Sequence, residues 1–505
     1  MSNDAEVWRQ KANECFKNEN YDTALNLYNR AIKCDPELPV LNLNISLTCL
    51  KLESFYDAYE AAKLGLEKNG DREKALYRMG QAAYGMQKFE ESANLFVEVV
   101  KKFPGNVTAR EQLKRTMARL AEQRHGKFNF KAMYLESKKE KPELDVADYI
   151  GPIKVENIPG KGRGIIATKD IKEGTLLAVS KAYASGSSQD FSGVMIAVDR
   201  KRAYSCAQIM QVFKTTEKLS KNPNDAKKLY DLSQGDVDMD SEKEEVPYGV
   251  IDVAKIFRIS KCNQFADKED QRKSELSGKN TNCYLFILPS YFNHSCMANA
   301  HRTFYDDVMV LHAVGDIKKG EEICLSYFPP SNKYSERKNR CENWNFICCC
   351  KLCEVDSNDA FCESRDEMVN EFSQYASANL NSLPKVIVKG ELLLKKVVRE
   401  TYSKRNELYT KLAELLISLA KIYFKNGNST KSIEYFEEAI NIMEKGSFTY
   451  FIQIAEVYAT LQASYLSVGN MIKAAKIEEK AIKLNFCEDF EHYQMILFGK
   501  PNCNK

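Results

Sequence analysis

The sequence repeats itself at an interval of 34 residues over its first hundred positions. Trp8, Asn42 and Leu76 share one register, and Ala12, Ser46 and Gly80 a second. Ala24, Ala58 and Ser92 share a third, Tyr28, Ala62 and Phe96 a fourth, and Pro36, Gly70 and Pro104 close each unit. Small residues recur where two helices of a pair touch, and larger ones fill the gaps between pairs. A Pro or Gly at the end of each unit stops a helix. One such unit cannot bury its own apolar face, so the units stack into an α-solenoid with a concave groove. Three units are expected from residue 5 to 106, capped by a helix from Ala109 to Gln123, in a domain of residues 1–125.

At 505 residues the chain has room for about three domains. A hydrophobic fraction of 44% is enough for packed cores, and a net charge of +3 argues neither for nucleic acid nor for a membrane surface. No basic stripe with stacking aromatics is found, so no direct nucleic-acid contact is expected. No apolar run is long enough to span a bilayer. The opening MSNDAEVWRQ has no basic-then-apolar leader, so a cytoplasmic and/or nuclear protein is expected; the oligomeric expectation is a monomer. In a reducing compartment the sixteen cysteines are thiols. Isolated ones (Cys15, Cys34, Cys49, Cys206) are expected to pack, and clustered ones to serve metal or catalysis.

The 34-residue units resemble tetratricopeptide repeats. Their polar groove positions read Arg9 and Asn13, then Asn44, then Lys74 and Arg78. This set resembles the carboxylate clamp of co-chaperones that grip the acidic C-terminus of Hsp70 or Hsp90, with Arg9 where Lys is usual. Cations and amides so placed would capture a free terminal carboxylate. The same residue types are common on any exposed helix.

After a segment of residues 126–150 expected to be a linker, the texture changes. GKGRGIIATKDIKEG reads as short strands and tight turns. Followed by YFNHSCMANA (291–300) and GEEICLSY (320–327), it resembles the three signatures of SET-domain protein-lysine methyltransferases. The fold class is then α+β and multidomain, with a β-rich SET domain at residues 151–330 between helical domains. The SMYD branch is similar, because it splits its SET domain with an insert, here 185–280, and closes it with C-x-C-x-x-C. The branch's MYND zinc finger is expected to be absent, since that insert holds only Cys206 and Cys262. The acidic stretch at 219–247 is expected to be a disordered loop. Beyond a post-SET segment at 331–356, a TPR-like helical domain is expected over 366–505, where Ala420, Tyr423, Ser432, Phe436, Ala439, Tyr465, Ala474 and Ala481 fit helix-pair spacing.

Cys348, Cys350 and Cys353 put three soft ligands on one knuckle. By the resemblance the fourth is Cys296 of NHSC, closing a structural zinc site. Cys349 should face away, and Cys341 is a spare candidate.

The resemblance implies S-adenosylmethionine as cofactor, a protein substrate and lysine N-methylation. Lys161, Gly162, Arg163, Asn263, Asn293, His294 and Phe346 fall at cofactor-binding positions. Tyr327 falls at the catalytic position, and Trp344 at the wall of the lysine channel, where Tyr is usual. Such a channel would strip water from the amine and favour its neutral, nucleophilic form. The alternative left open is a non-catalytic adaptor, a TPR co-chaperone whose SET fold only scaffolds.

Overall fold

The computed structural model describes residues 3–498 except 188, 191–193, 198–201, 236–245, 267–281, 330, 343, 345, 403–404, 406 and 449–453. The chain divides into two compact units. The first gathers residues 1–128, 145–150 and 179–290, and the second 129–144, 151–178 and 291–505. The strands are β1 (Tyr149–Ile150), β2 (Ile153–Ile158), β3 (Gly162–Ala167), β4 (Leu176–Lys181), β5 (Ala184–Ser187), β6 (Val194–Ala197), β7 (Arg202–Ser205), β8 (Gln264–Phe265), β9 (Asn282–Leu285), β10 (Ala300–Tyr305), β11 (Val308–Ala313) and β12 (Glu322–Ile323). No helix among the described residues is long and apolar enough to cross a membrane.

In the first unit, α1 (Asn3–Lys17), α2 (Tyr21–Cys34), α3 (Pro39–Lys51), α4 (Phe55–Glu67), α5 (Arg72–Gly85) and α6 (Phe89–Lys102) form three antiparallel pairs, and α7 (Val107–His125) follows. The small-residue register is what lets the helices of a pair meet. Ala12, Ala24, Ser46 and Ala58 have no solvent exposure. Ser46 Oγ donates to the Ala58 carbonyl at 2.7 Å and Ser92 Oγ to the Gly80 carbonyl at 2.8 Å. Each pair turns through a residue in the left-handed region, Glu19, Glu53 or Gln87, again 34 apart.

The insert shares this unit. Its helix α9 (Cys206–Lys221) starts in a reciprocal capping box, Ser205 with Gln208. Strand β5 lies directly on α9: a Cβ at Gly186 would stand 2.4 Å from the Gln211 amide, so only glycine fits. At the far end of α9, Asn222 accepts from the Phe55 amide at 3.0 Å and donates to the Glu53 carbonyl at 2.9 Å, fastening the insert to the second repeat. Helices α10 (Ala226–Tyr230) and α11 (Val253–Asn263) complete it. The acidic stretch expected to be disordered is therefore folded over 219–235, because Asn222, Asp225 and Leu229 find buried partners; residues 236–245 lie outside the described residues.

The segment expected to be a linker is also structured. In the first unit Asp145 accepts from Tyr84 at 2.7 Å and from Arg115 at 2.6 Å, and Ala147 packs with Phe89 and Leu120. In the second unit α8 (Phe130–Ser137) places Tyr134 to donate to the Met495 carbonyl at 2.6 Å, while Lys131 pairs with Asp489 at 3.1 Å. Lys138, Lys139, Glu140, Lys141 and Glu143 between them stay exposed.

In the second unit β12, β3 and β2 form an antiparallel sheet, and β10 pairs with β11 from Ala300↔Ala313 to Tyr305↔Val308. Then come α12 (Tyr334–Glu342), α13 (Lys351–Ser357), α14 (Cys362–Ala378), α15 (Leu383–Lys396), α16 (Thr410–Lys425), α17 (Ser429–Lys445), α18 (Ile454–Ser467), α19 (Met471–Leu484) and α20 (Phe490–Phe498). One continuous core runs from Cys296 and Phe328 through Phe372, Leu416 and Phe436 to Tyr493. The post-SET segment and the C-terminal helices are therefore one packed body, not two.

That core contains an ion cluster. Asp356, at the end of α13, is bound by Arg337 of α12 and by Arg405 at 2.7 Å; Arg405 also reaches Asp359 at 3.1 Å, which Arg365 holds. All three arginines and Asp356 are buried. Removing one partner of such a set strands charge in a dry interior. Asp356→Ala is expected to lose about 3–5 kcal/mol in urea unfolding. A near-wild-type midpoint would mean that water reaches the arginines.

Candidate active site and metal centre

The second unit brings its site residues together around one short crossing. The chain from Asn293 to Ser295 runs beside Leu325: Leu325 donates to the Asn293 carbonyl at 2.9 Å, and Ser295 donates to the Leu325 carbonyl at 3.1 Å. This crossing sets Tyr327 against the NHSC segment. The Tyr327 amide donates to His294 Nδ1 at 3.0 Å, and its hydroxyl donates to the Phe292 carbonyl at 2.8 Å. Burial pushes the Tyr327 phenol well above its ordinary range, so it stays protonated and offers its oxygen lone pairs.

Since His294 Nδ1 accepts, Nε2 carries the proton and meets Cys296 Sγ at 3.3 Å. Both ring nitrogens are thus engaged inside the protein. The imidazole wires Tyr327 to a thiol; what it can offer a cofactor is backbone.

Cys296, Cys348, Cys350 and Cys353 place their sulfurs within 4.8 Å of one another, with Cys296 and Cys353 3.6 Å apart. A Zn–S bond of about 2.3 Å in a tetrahedron separates sulfurs by about 3.8 Å, so the cluster fits such an ion. Contact among the four thiols drives Cys348 down and Cys296 up, as expected of sulfurs that cannot all ionise without a cation. Cys349 is exposed and turned towards the Ile347 carbonyl. Cys341 is buried outside the cluster and pushed to about 11 by burial; its carbonyl accepts from Trp344 and Phe346. Cys15 is half-buried, and Cys49 and Cys206 are buried, but Cys34 is exposed rather than packed.

The knuckle carries the aromatics. Phe346 lies 5.6 Å from the His294 ring and 6.3 Å from Tyr327. Trp344 meets Tyr327 edge-on at 5.5 Å and stacks on Phe328 at 6.3 Å, while 42% of it stays exposed. Trp344 and Phe346 thus set apolar rings beside the Tyr327 ring.

Lys161, Gly162 and Arg163 start the β3 side of the site. Gly162 has φ +73 and open space where a Cβ would be. Asn293 Nδ2 donates to Glu322 Oε1 at 2.9 Å and to the Arg163 carbonyl at 3.3 Å, and Lys161 pairs with Glu322 at 2.6 Å. Asn263 ends α11 in the first unit, where its Nδ2 donates to the Ser233 and Ile259 carbonyls, each at 2.7 Å. Glu322 and Phe328 were missed by sequence reasoning, although both sit in or beside the GEEICLSY signature.

In the first unit Asn13, Asn44, Arg9 and Arg78 gather around Tyr28, while Lys74 does not. Asn13 Oδ1 accepts from the Tyr28 hydroxyl at 2.6 Å and from Asn44 Nδ2 at 3.4 Å, which leaves the Asn13 amide hydrogens to donate. Arg78 donates to the Leu43 carbonyl and is lowered chiefly by burial. Arg9 is forked onto Glu6 at 2.6 and 2.8 Å, and Lys74 pairs with Asp71 at 3.0 Å. Tyr28, the residue that orients the amides, showed itself in the sequence only as a large position of the repeat.

Comparison with known proteins agrees with this layout. The SET domain family matches residues 162–328, and tetratricopeptide repeat families match residues 5–38, 74–106 and 413–444. A methyltransferase of Gibberella zeae is 26% identical over 368 residues, covering 68% of this chain and 51% of that protein. Protein-lysine N-trimethyltransferase SMYD5 of Danio rerio is 43% identical over 89 residues, 16% of this chain and 21% of that protein. The matched regions thus span about half and about a fifth of those relatives' own lengths. Among solved structures, the first TPR of Spaghetti (RPAP3) bound to HSP90 peptide SRMEEVD is 31% identical, covering 24% of this chain and 96% of that chain, with a TM-score of 0.23.

Proposed function

We propose that this chain, which carries a SET domain between tetratricopeptide repeats and has SMYD5 and other SET methyltransferases as homologues, methylates lysine side chains of proteins with S-adenosylmethionine. The observation that carries this reading is Tyr327: a protonated phenol pinned at both ends, to Phe292 and His294, and flanked by Trp344 and Phe346. S-adenosylmethionine, when bound, supplies a sulfonium methyl for an in-line displacement by an amine.

The chain's own residues supply position and environment. Asn293, Lys161, Gly162 and Arg163 hold the amino-acid end of the cofactor, and Phe346 offers a face for adenine. Trp344 guides the lysine. Burial among the rings favours the neutral amine, so no strong base is needed. The Tyr327 oxygen orients the amine at attack distance, worth several powers of ten by proximity alone. Cys296, Cys348, Cys350 and Cys353 would hold a zinc ion with no open position, a structural role.

Calorimetric titration with S-adenosylmethionine tests the pocket: wild type should bind, and Asn293→Ala should not. A folded, metal-loaded protein that does not bind turns the reading to the non-catalytic adaptor. Labelled-methyl transfer in lysate then finds substrates.

For the repeats, we propose a groove for a peptide with an acidic free C-terminus, of the kind Hsp70 and Hsp90 carry. Its support is the set Arg9, Asn13, Asn44, Lys74 and Arg78 with Tyr28 orienting the amides. Lys74→Ala with Arg78→Ala should lower affinity for such a peptide at least about a hundredfold, since two charge-assisted contacts go. Unchanged affinity in fluorescence anisotropy would show that the groove cations do not touch the ligand.

A further inference from the structure

We infer that Glu322 is a positioning residue that turns the Asn293 carboxamide so that its oxygen meets the amino-acid ammonium of the cofactor. This rests on the reading of the pocket as an S-adenosylmethionine site. A carboxamide has a donor end and an acceptor end of nearly the same shape, so its neighbours decide which way round it lies. Here both neighbours of Nδ2 only accept: a carboxylate oxygen of Glu322 at 2.9 Å and the Arg163 carbonyl at 3.3 Å. The flipped amide would set oxygen against oxygen twice. Oδ1 is therefore the end left over, and among the described residues no group donates to it.

Glu322 is itself held. It lies on β12, in register with Ile166 of β3, and its second oxygen accepts from Lys161 Nζ at 2.6 Å. Its side chain is only 17% exposed. Gly164 completes the arrangement: a Cβ there would stand 2.7 Å from Asn293 Nδ2 and 3.3 Å from Glu322 Oε1, so a side chain would push the amide off both partners.

An oriented amide oxygen beside a carboxylate suits an ammonium donor. Lys161, paired with that carboxylate, offers the complementary charge to the cofactor's own carboxylate. The pair thus reads the amino-acid end of the cofactor and has nothing to say to its adenosine end.

The test is titration of the full chain with S-adenosylmethionine and with 5′-methylthioadenosine, which lacks the amino-acid part. Glu322→Leu should weaken S-adenosylmethionine about tenfold to a hundredfold, the worth of a hydrogen bond to a charged group. It should leave 5′-methylthioadenosine unchanged. Glu322→Gln, whose one carbonyl oxygen can still accept from Nδ2 but which loses the charge and the Lys161 pair, should restore part of the loss. If Glu322→Leu does not fold, Glu322→Asp gives the same contrast, because it keeps the charge and draws the oxygen back. Equal losses on both ligands, or no loss on either, overturn the assignment while leaving the cofactor reading standing. A wild type that binds neither ligand overturns both.

Discussion

On the proposed reading, stripping a metal from the four-sulfur site is expected to abolish binding of S-adenosylmethionine. The expectation follows from where the four sulfurs sit. Three come from the knuckle that carries Phe346 and lies next to Trp344, and the fourth, Cys296, is two residues on from His294. His294 in turn accepts from the Tyr327 amide. Without a cation the four thiols share protons and repel as thiolates, so the knuckle loses its tie to the NHSC segment. Phe346 then leaves the face proposed for adenine, and the imidazole loses the sulfur that meets its Nε2. Partners of metal ligands commonly change affinity or activity about 10–100-fold, and loss of the metal itself should exceed that. Metal analysis beside calorimetry, before and after chelation and again for Cys350→Ser, checks it. A metal-free sample that binds the cofactor like the loaded one would show that Phe346 stays in place without zinc.

Tyr327→Phe is expected to lower kcat about a hundredfold or more while cofactor affinity stays the same. The ring survives the change, and so does its edge contact with Trp344. What goes is one oxygen, the donor to the Phe292 carbonyl and the group proposed to orient the amine. The fold loses about 1 kcal/mol with that single hydrogen bond, so the melting temperature should barely move. Because the phenol is held far above its ordinary range by burial, it does not act as a base near neutral pH. The pH dependence of the rate should then follow the substrate amine in both wild type and variant, rising with pH. A parallel loss of cofactor affinity in Tyr327→Phe would assign the hydroxyl to binding instead of transfer.

Much of the helical architecture was legible because it is local. A period of 34 places Ser46 against Ala58 and Gly80 against Ser92 twelve residues apart, a distance that one helix, one turn and the next helix must span. The expected linker failed for the opposite reason. Lys131, Asp145 and Ala147 lie in that expected linker, yet their partners, Asp489, Arg115 and Phe89, are far off in the chain. The acidic stretch failed likewise: Asn222 is polar by composition and buried by its bonds to Phe55 and Glu53.

The sequence by itself determined the repeat units and the three-thiol knuckle, because both are set by spacing along a few turns of chain. It also marked Asn293 and Tyr327 through ordered motifs. Tertiary structure alone decided which atoms those residues present. Glu322 turns the Asn293 amide, His294 joins Tyr327 to Cys296, and Arg337 and Arg405 close on Asp356 from separate segments. The orientation of an amide, a tautomer or a buried ion pair depends on neighbours brought in by packing, and no spacing rule encodes them.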